Sequence, residues 1–253
     1  MSLAQQLLVR GLVAMFWNQP YRTSLTRWGT ALHDRFMLPW FLERDLREVV
    51  GELRAYGLDF EAEWFRPHLE FRCPKMGELN VDQIQLEFRQ AIEPWYVLGE
   101  EPGGGGTARY VDSSVERLQV LTTNLQTERY ALSINGIEVP LHASGMANRL
   151  VAGIRYRAWQ PPSCLQPTIP VNTPLVIDIV DRKHCKSIGG CQYHIDEPGG
   201  INPPGLPVNA LEAESRRATR FVPMGHTNGT IEPRQVAQSD AFPFTLDMRW
   251  MHF

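Results

Sequence analysis

Gln83-Ile84-Gln85-Leu86-Glu87-Phe88-Arg89 alternates polar and apolar side chains at every step. A period of two marks a strand with one buried face. Just upstream, His68-Leu69-Glu70-Phe71-Arg72 alternates in the same way, with Pro74 and Gly77 in between, so two strands in a hairpin-like pairing are expected. Before them the spacing is helical. Leu3, Leu7, Leu8, Leu12, Met15 and Phe16 suit one helix, which Pro20 ends. Ser24 is placed to cap a second helix through about Phe36. Pro39 opens a third, with Leu42, Leu46, Val49, Val50 and Leu53 on one face and Gly57 as a left-handed stop. A short helical turn from Phe60 to Phe65 ends at Pro67.

Downstream the period of two persists. Strands are expected over Val115 to Thr122, Arg129 to Ile134, Ile137 to Leu141, Gly153 to Trp159, Leu175 to Val180 and Gly190 to Ile195. Asn135-Gly136 between two of these runs is a two-residue hairpin signal. Loops are expected at Glu100 to Thr107 with its four consecutive glycines, at Gln160 to Pro174 with five prolines, and at Glu197 to Pro207. Asn209 caps a late helix through Arg220, with Glu212 in the third position of a capping box. The fold class is therefore α+β: N-terminal helices, then a mostly antiparallel β-sheet or sandwich, and one late helix. The chain divides into a helical segment at 1–66, a β-rich region at 67–206, and a short helix with an irregular tail at 207–253. The last thirty residues carry little periodicity and are expected to be poorly ordered.

Composition excludes more than it identifies. The chain has 253 residues, 43% hydrophobic and 21% charged, as in an ordinary soluble protein. Such a length buries roughly three quarters of its unfolded surface without staples. A net charge of -3 argues against nucleic acid or an anionic membrane as the main partner. Four cysteines make no disulfide scaffold, so a reducing compartment is expected. Arg10 interrupts the apolar run of the first seventeen residues, and no basic cluster or cleavage site flanks it. Neither a secretory signal nor a membrane span is expected, and the cytoplasm is the expected location.

Several groups carry candidate chemistry. Glu70, Arg72, Glu87 and Arg89 sit at alternate positions of the two expected strands, where they share one sheet face. Carboxylates there suit magnesium and arginines suit phosphate. Cross-strand ion pairs on a solvated face explain the same pattern, and the general pairing rules favour them. Gly103 to Gly106 lacks the Lys-Ser or Lys-Thr of a phosphate loop. Arg109 and Asp112 stand in a segment dense in ligand-binding groups, although Asp112 also suits a turn. Arg155, Arg157 and Trp159 alternate on one face, which suits a carboxylate or a planar group, or an edge covered by the proline-rich loop. His184, Cys185, Cys191 and His194 form the one metal-like cluster, but the spacing between the cysteines is too wide for structural zinc. A turn with free thiols explains them more simply, and no metal site is expected. Cys164 or Cys191 with His194 could form a Cys-His hydrolase, without any flanking signature.

Several strings carry a family resemblance: Met1-Ser2-Leu3-Ala4-Gln5-Gln6-Leu7-Leu8, His33-Asp34-Arg35-Phe36-Met37-Leu38-Pro39, Glu93-Pro94-Trp95-Tyr96-Val97-Leu98-Gly99-Glu100-Glu101, Arg109 through Val120, and Arg155 through Ser163. Over roughly residues 1 to 227 the chain resembles the C-terminal part of the bacterial amidoligases that follow a transglutaminase-like domain in one long polypeptide. The resemblance implies a glutamine-synthetase-like ligase core that joins a carboxylate to an amine with ATP and magnesium through an acyl phosphate. It implies that the core motifs lie upstream, so that this chain packs on the core and is inactive alone. The upstream core and the transglutaminase-like domain are the implied partners. A reading from a different class is a non-catalytic β-rich module that binds a peptide or a partner, and it predicts an exposed apolar groove or sheet edge.

Overall fold

A computed structural model describes residues 2–159, 165–195, 205 and 207–251. Helix α1 (Ser2–Asn18) packs on α2 (Pro39–Tyr56) through Met15, Val50 and Leu53, with Phe60 and Phe65 from the segment after α2 in the same cluster. Pro39 stands at the start of α2, and Gly57 ends it at φ 101°, so both expected boundaries hold. The expected second helix does not form. Residues 29–32 make a single 3-10 turn, because Thr23, Ser24, Thr26 and Gly29 are weak helix formers.

The alternating run at 68–72 is a helix, which corrects the expectation there. Helix α3 (Arg66–Arg72) begins with Pro67 in its first turn, where a proline's fixed φ suits helix initiation. Five alternating residues cover less than two helical turns, too few to separate the two periods. The strand paired with the 83–89 run is instead β1 (Lys75–Val81), which meets β2 (Ile84–Ala91) antiparallel with a bulge between Lys75 and Gly77.

A sandwich follows. After the ribbon β3 (Tyr96–Gly103) and β4 (Gly106–Asp112) come β5 (Val115–Thr123), β6 (Tyr130–Ile134), β7 (Ile137–Glu138), β8 (His142–Ala143), β9 (Arg149–Arg157), β10 (Leu175–Asp181) and β11 (Lys186–Tyr193). Helix α4 (Ala210–Ala218), β12 (Phe221–Val222) and β13 (Thr245–Asp247) close the chain. One sheet runs β1-β2-β5-β9-β13 with β8 beside β9, the other β12-β11-β10-β6-β7. All these pairings are antiparallel except β9 with β13. Leu86, Phe88, Leu118, Val120, Ile154 and Tyr156 from the first sheet bury against Ile134, Ile177, Ile179, Cys191 and Tyr193 from the second. Asn135 and Gly136 both take positive φ, 48° and 76°, as the primed hairpin turn requires. Asn209 caps α4 by accepting from the Glu212 amide at 2.9 Å.

Two further expectations are corrected. The four glycines are not an open loop but the tip of the β3–β4 ribbon. Thr245–Asp247 of the tail is a strand of the first sheet, with Leu246 and Met248 in the core. A parallel pairing to a strand so distant in sequence leaves no local pattern to read.

Candidate functional site

The first sheet has two faces of opposite character. Leu86, Phe88, Leu118, Val120 and Ile154 point into the sandwich, so their alternate neighbours Glu87, Arg89, Arg117, Gln119, Arg155 and Arg157 form the outer face. Register sets them in rows: Glu78 beside Glu87, Arg89 beside Gln119, and Arg117 beside Arg155. The helical segment and the tail cover one half of this face, and the other half is open.

The covered half is an ion network. Arg117 and Arg155 are like charges on neighbouring strands, and both are buried. Glu93 lies between them, 2.9 Å from Arg155 Nε and 3.7 Å from Arg117 Nε. Arg117 also donates to the carbonyls of His33, Asp34 and Ile92 and to Thr245 Oγ1. Asp34 accepts from Thr245 Oγ1 at 2.6 Å and from the Phe244 amide at 3.0 Å. Asp247 lies 3.6 Å from Arg155 and holds Arg249 through both oxygens. Burial raises the Glu93 carboxyl above its ordinary range against the opposing pull of Arg155 and Arg117. Burial also pushes the Arg117 guanidinium down to about 10, still protonated at neutral pH. This network joins residue 34, the sheet and the tail, and its charges are spent on one another.

The open half is a cleft of about 630 Å³ between the outer face and helices α2 and α3. Arg89 stands on its floor and donates to Glu87 at 2.8 Å, to Glu70 at 2.9 Å and to the Cys73 carbonyl at 3.3 Å. Glu78 pairs with Lys75, and on α2 Glu43 pairs with Arg47 at 2.6 Å. Gln119 is 1% exposed, and its Oε1 accepts from the Trp40 amide at 2.8 Å. That bond fixes the orientation of the amide and leaves Nε2 as a donor without a partner among the described residues. At the far edge the Arg149 guanidinium lies 5.5 Å from the Trp40 ring centroid, and Trp40 Nε1 is held by the Ser144 carbonyl at 2.8 Å. No carboxylate lies within ion-pair distance of Arg149 among the described residues.

The residues nominated from sequence are scattered by this geometry. Glu70, Glu87 and Arg89 line the cleft together, Glu70 from α3 and the other two from β2. Arg72 is exposed and lies outside the cleft lining, so the expected four-residue strand face does not exist. Arg109 pairs with Glu100 at 2.6 Å on the exposed ribbon. Asp112 is buried and accepts from the Ser114 and Leu165 amides. Burial pushes its carboxyl up, but these bonds and the Arg157 charge outweigh that and hold it below the usual range. Arg155 belongs to the ion network. Arg157 is buried against Ser114 Oγ at 3.2 Å. Arg155 is flanked by β5 and β13, whereas at Arg157, beyond β13, the backbone bonds to Asn172 of the proline-rich segment. Sequence reading missed Trp40, Gln119 and Arg149. Arg117 and Gln119 alternate with Leu118 and Val120 within β5, and that was the one available signal.

The two buried thiols are poor nucleophiles. Burial pushes the Cys73 thiol up to about 11 and the Cys191 thiol up to about 12. His184 and Cys185 lie at the β10–β11 turn, whereas Cys191 points into the core. Cys164 lies outside the described residues. A magnesium–ATP site does not fit the donors present. No group of three His, Cys, Asp or Glu side chains converges among the described residues. Both carboxylates nearest Arg89 are engaged by it, and the glycine run is at an exposed ribbon tip.

No helix among the described residues is long and apolar enough to cross a membrane. No curated protein and no solved structure matches the chain. A family model described as "Putative amidoligase enzyme (DUF2126)" matches residues 1–249, and the chain belongs to that family.

Proposed function

We propose that this chain is the substrate-recognition region of an ATP-dependent carboxylate–amine ligase, with ATP and magnesium held by an upstream core of the same polypeptide. The observation that carries the reading is the cleft: polar, walled by two helices, and floored by a sheet beside the buried ion network. Substrate-positioning groups act best on such rigid elements. Family membership supports the ligase chemistry. The test is ADP release by the full-length polypeptide given carboxylate, amine and Mg·ATP. Arg89→Ala lowers kcat/KM at least tenfold, while Arg109→Ala on the ribbon leaves it unchanged. Equal turnover in both variants refutes the assignment.

One observation favours a non-catalytic partner-binding module. The side of α1 away from α2 exposes Leu3, Val9, Val13 and Trp17. A helix apolar on both sides is normally covered on both. The upstream core and the transglutaminase-like domain are the partners this reading proposes. It predicts that Val13→Asp abolishes activity of the full-length polypeptide while cleft variants leave it intact.

A further inference from the structure

We propose that the cleft binds a monocarboxylate ligand: its carboxylate at Arg149 and Thr123, its apolar stem along Trp40 and Leu121, and a neutral hydrogen-bond acceptor at Gln119 Nε2. This deepens the reading above and rests on it for the ligand's place in a reaction, while the binding itself stands on geometry. Charge singles out Arg149. The five glutamates that line the cleft all have a cationic partner, Glu63 at 3.3 Å from Arg66 and the other four at Arg47, Lys75 and Arg89. Arg149 is the one charged lining residue with neither an ion pair nor a side-chain hydrogen bond among the described residues. It is half-buried, and its guanidinium lies over the Trp40 ring, which the Ser144 carbonyl holds in place. A guanidinium so positioned presents its fork of N–H donors to a carboxylate.

Register sets the order of the remaining contacts. Thr123 is the direct cross-strand partner of Arg149, and its hydroxyl has no partner among the described residues. Thr123, Leu121 and Gln119 alternate along the cleft face of β5, so each step is about 7 Å and the two polar α-carbons are about 14 Å apart. Trp40 lies beside this stretch, with its amide bonded to Gln119 and its ring under Arg149. Trp40 and Leu121 are only partly buried, so some of their apolar surface is left for a ligand. Gln119 Nε2, on a side chain 1% exposed, is the neutral donor at the end away from Arg149. The charge of the ligand is limited as well. Glutamates outnumber arginines in the lining, five to four, so a phosphate dianion would bring a charge that no group there compensates. A monocarboxylate matches the one open guanidinium.

The experiment is isothermal titration of this chain with ε-acetamidocaproate, its neutral counterpart ε-acetamidocaproamide, caproate and inorganic phosphate. The first binds, the neutral amide at least tenfold more weakly, caproate severalfold more weakly, and phosphate gives no heat. Arg149→Gln weakens ε-acetamidocaproate at least tenfold and brings acid and amide to one level. Thr123→Val weakens the acid and leaves the amide unchanged. Gln119→Met brings ε-acetamidocaproate down to the level of caproate. Arg149 makes no ion pair and valine is close to threonine in shape, so those two variants keep the wild-type melt and carry the test even if Gln119→Met does not fold. The inference is overturned if ε-acetamidocaproate gives no heat at millimolar concentration, if acid and amide bind equally, or if phosphate binds more tightly than the carboxylate. Turnover of the full-length polypeptide separates the two readings. Carboxylate-specific binding with unaltered turnover in Arg89→Ala refutes the ligase assignment and leaves this site standing. Lost turnover in Arg89→Ala without carboxylate-specific binding refutes this site alone.

Discussion

Replacing Glu93 by Gln removes one charge from the covered half of the sheet and almost no volume. The side chain is 4% exposed, and it is the carboxylate that separates Arg117 from Arg155. Without it, two buried guanidiniums are cross-strand neighbours, with Asp247 at 3.6 Å from Arg155 as the nearest remaining anion. Breaking a buried pair on one side costs about 3–5 kcal/mol, and the surviving amide oxygen sets the expected loss at about 3 kcal/mol. In a domain of this size each kcal/mol shifts the midpoint by about 2–4 °C, so Tm falls by roughly 6–12 °C. Glu43→Gln is the control. Its pair with Arg47 is 2.6 Å long, but the two side chains are 55% and 44% exposed, and such surface pairs contribute at most ~1 kcal/mol. Differential scanning calorimetry of both variants at pH 7 decides the matter. If Glu93→Gln lowers Tm no more than Glu43→Gln, the covered charges are not holding the fold as argued.

Three other outcomes are expected. Native-state alkylation at pH 7.5, followed by peptide mapping, labels Cys185 at its turn well before Cys73 or Cys191, whose thiols burial pushes up to about 11 and about 12; fast labelling of Cys191 would reopen a nucleophile role. Asp112 has a folded pKa below its ordinary value of 3.8, so it contributes stability above that pH and loses it as pH falls through and below that value. The Tm gap between wild type and Asp112→Asn is therefore full at pH 6 and shrinks towards pH 2.5, and a gap independent of pH contradicts this. Gly190→Ala sets a methyl against the Ile177 carbonyl and lowers stability by about 1–3 kcal/mol or more, read as a shift of the urea midpoint.

What could be read from sequence follows the range of the interactions. The 83–89 run, Asn135-Gly136, the Pro39–Gly57 boundaries and the Asn209 cap each depend on a few adjacent residues, and each stands in the structure where it was expected. The failures are of two kinds. At 68–72 the local pattern was ambiguous, and Pro67 decided it towards a helix. At β1 the bulge between Lys75 and Gly77 broke the period that would have announced a strand. The second kind is non-local. β13 joins a partner some ninety residues earlier, and Asp34 bonds to Thr245 and Phe244 across the whole chain. The cleft is non-local in the same sense, since Trp40, Gln119 and Arg149 come from α2, β5 and β9.

The division of the outer face also explains why the arginine-rich string at 155–157 was a poor guide to chemistry. A buried guanidinium is tolerated only when paired and hydrogen-bonded, so Arg117 and Arg155 are enclosed by Glu93, Asp247 and backbone carbonyls. Those bonds leave them nothing to offer a ligand. They anchor the two flanking segments over half the sheet. On the remainder of that face two polar groups have spare capacity among the described residues: Gln119 through its amide nitrogen and Arg149 through its guanidinium. Unspent hydrogen-bonding and charge capacity, more than residue type, marks where a ligand gains free energy on this protein. Glu70, Glu87 and Arg89 line the cleft but are spent on one another. Asp112, Arg155 and Arg157 belong to the fold, and Arg72 and Arg109 to the exposed surface.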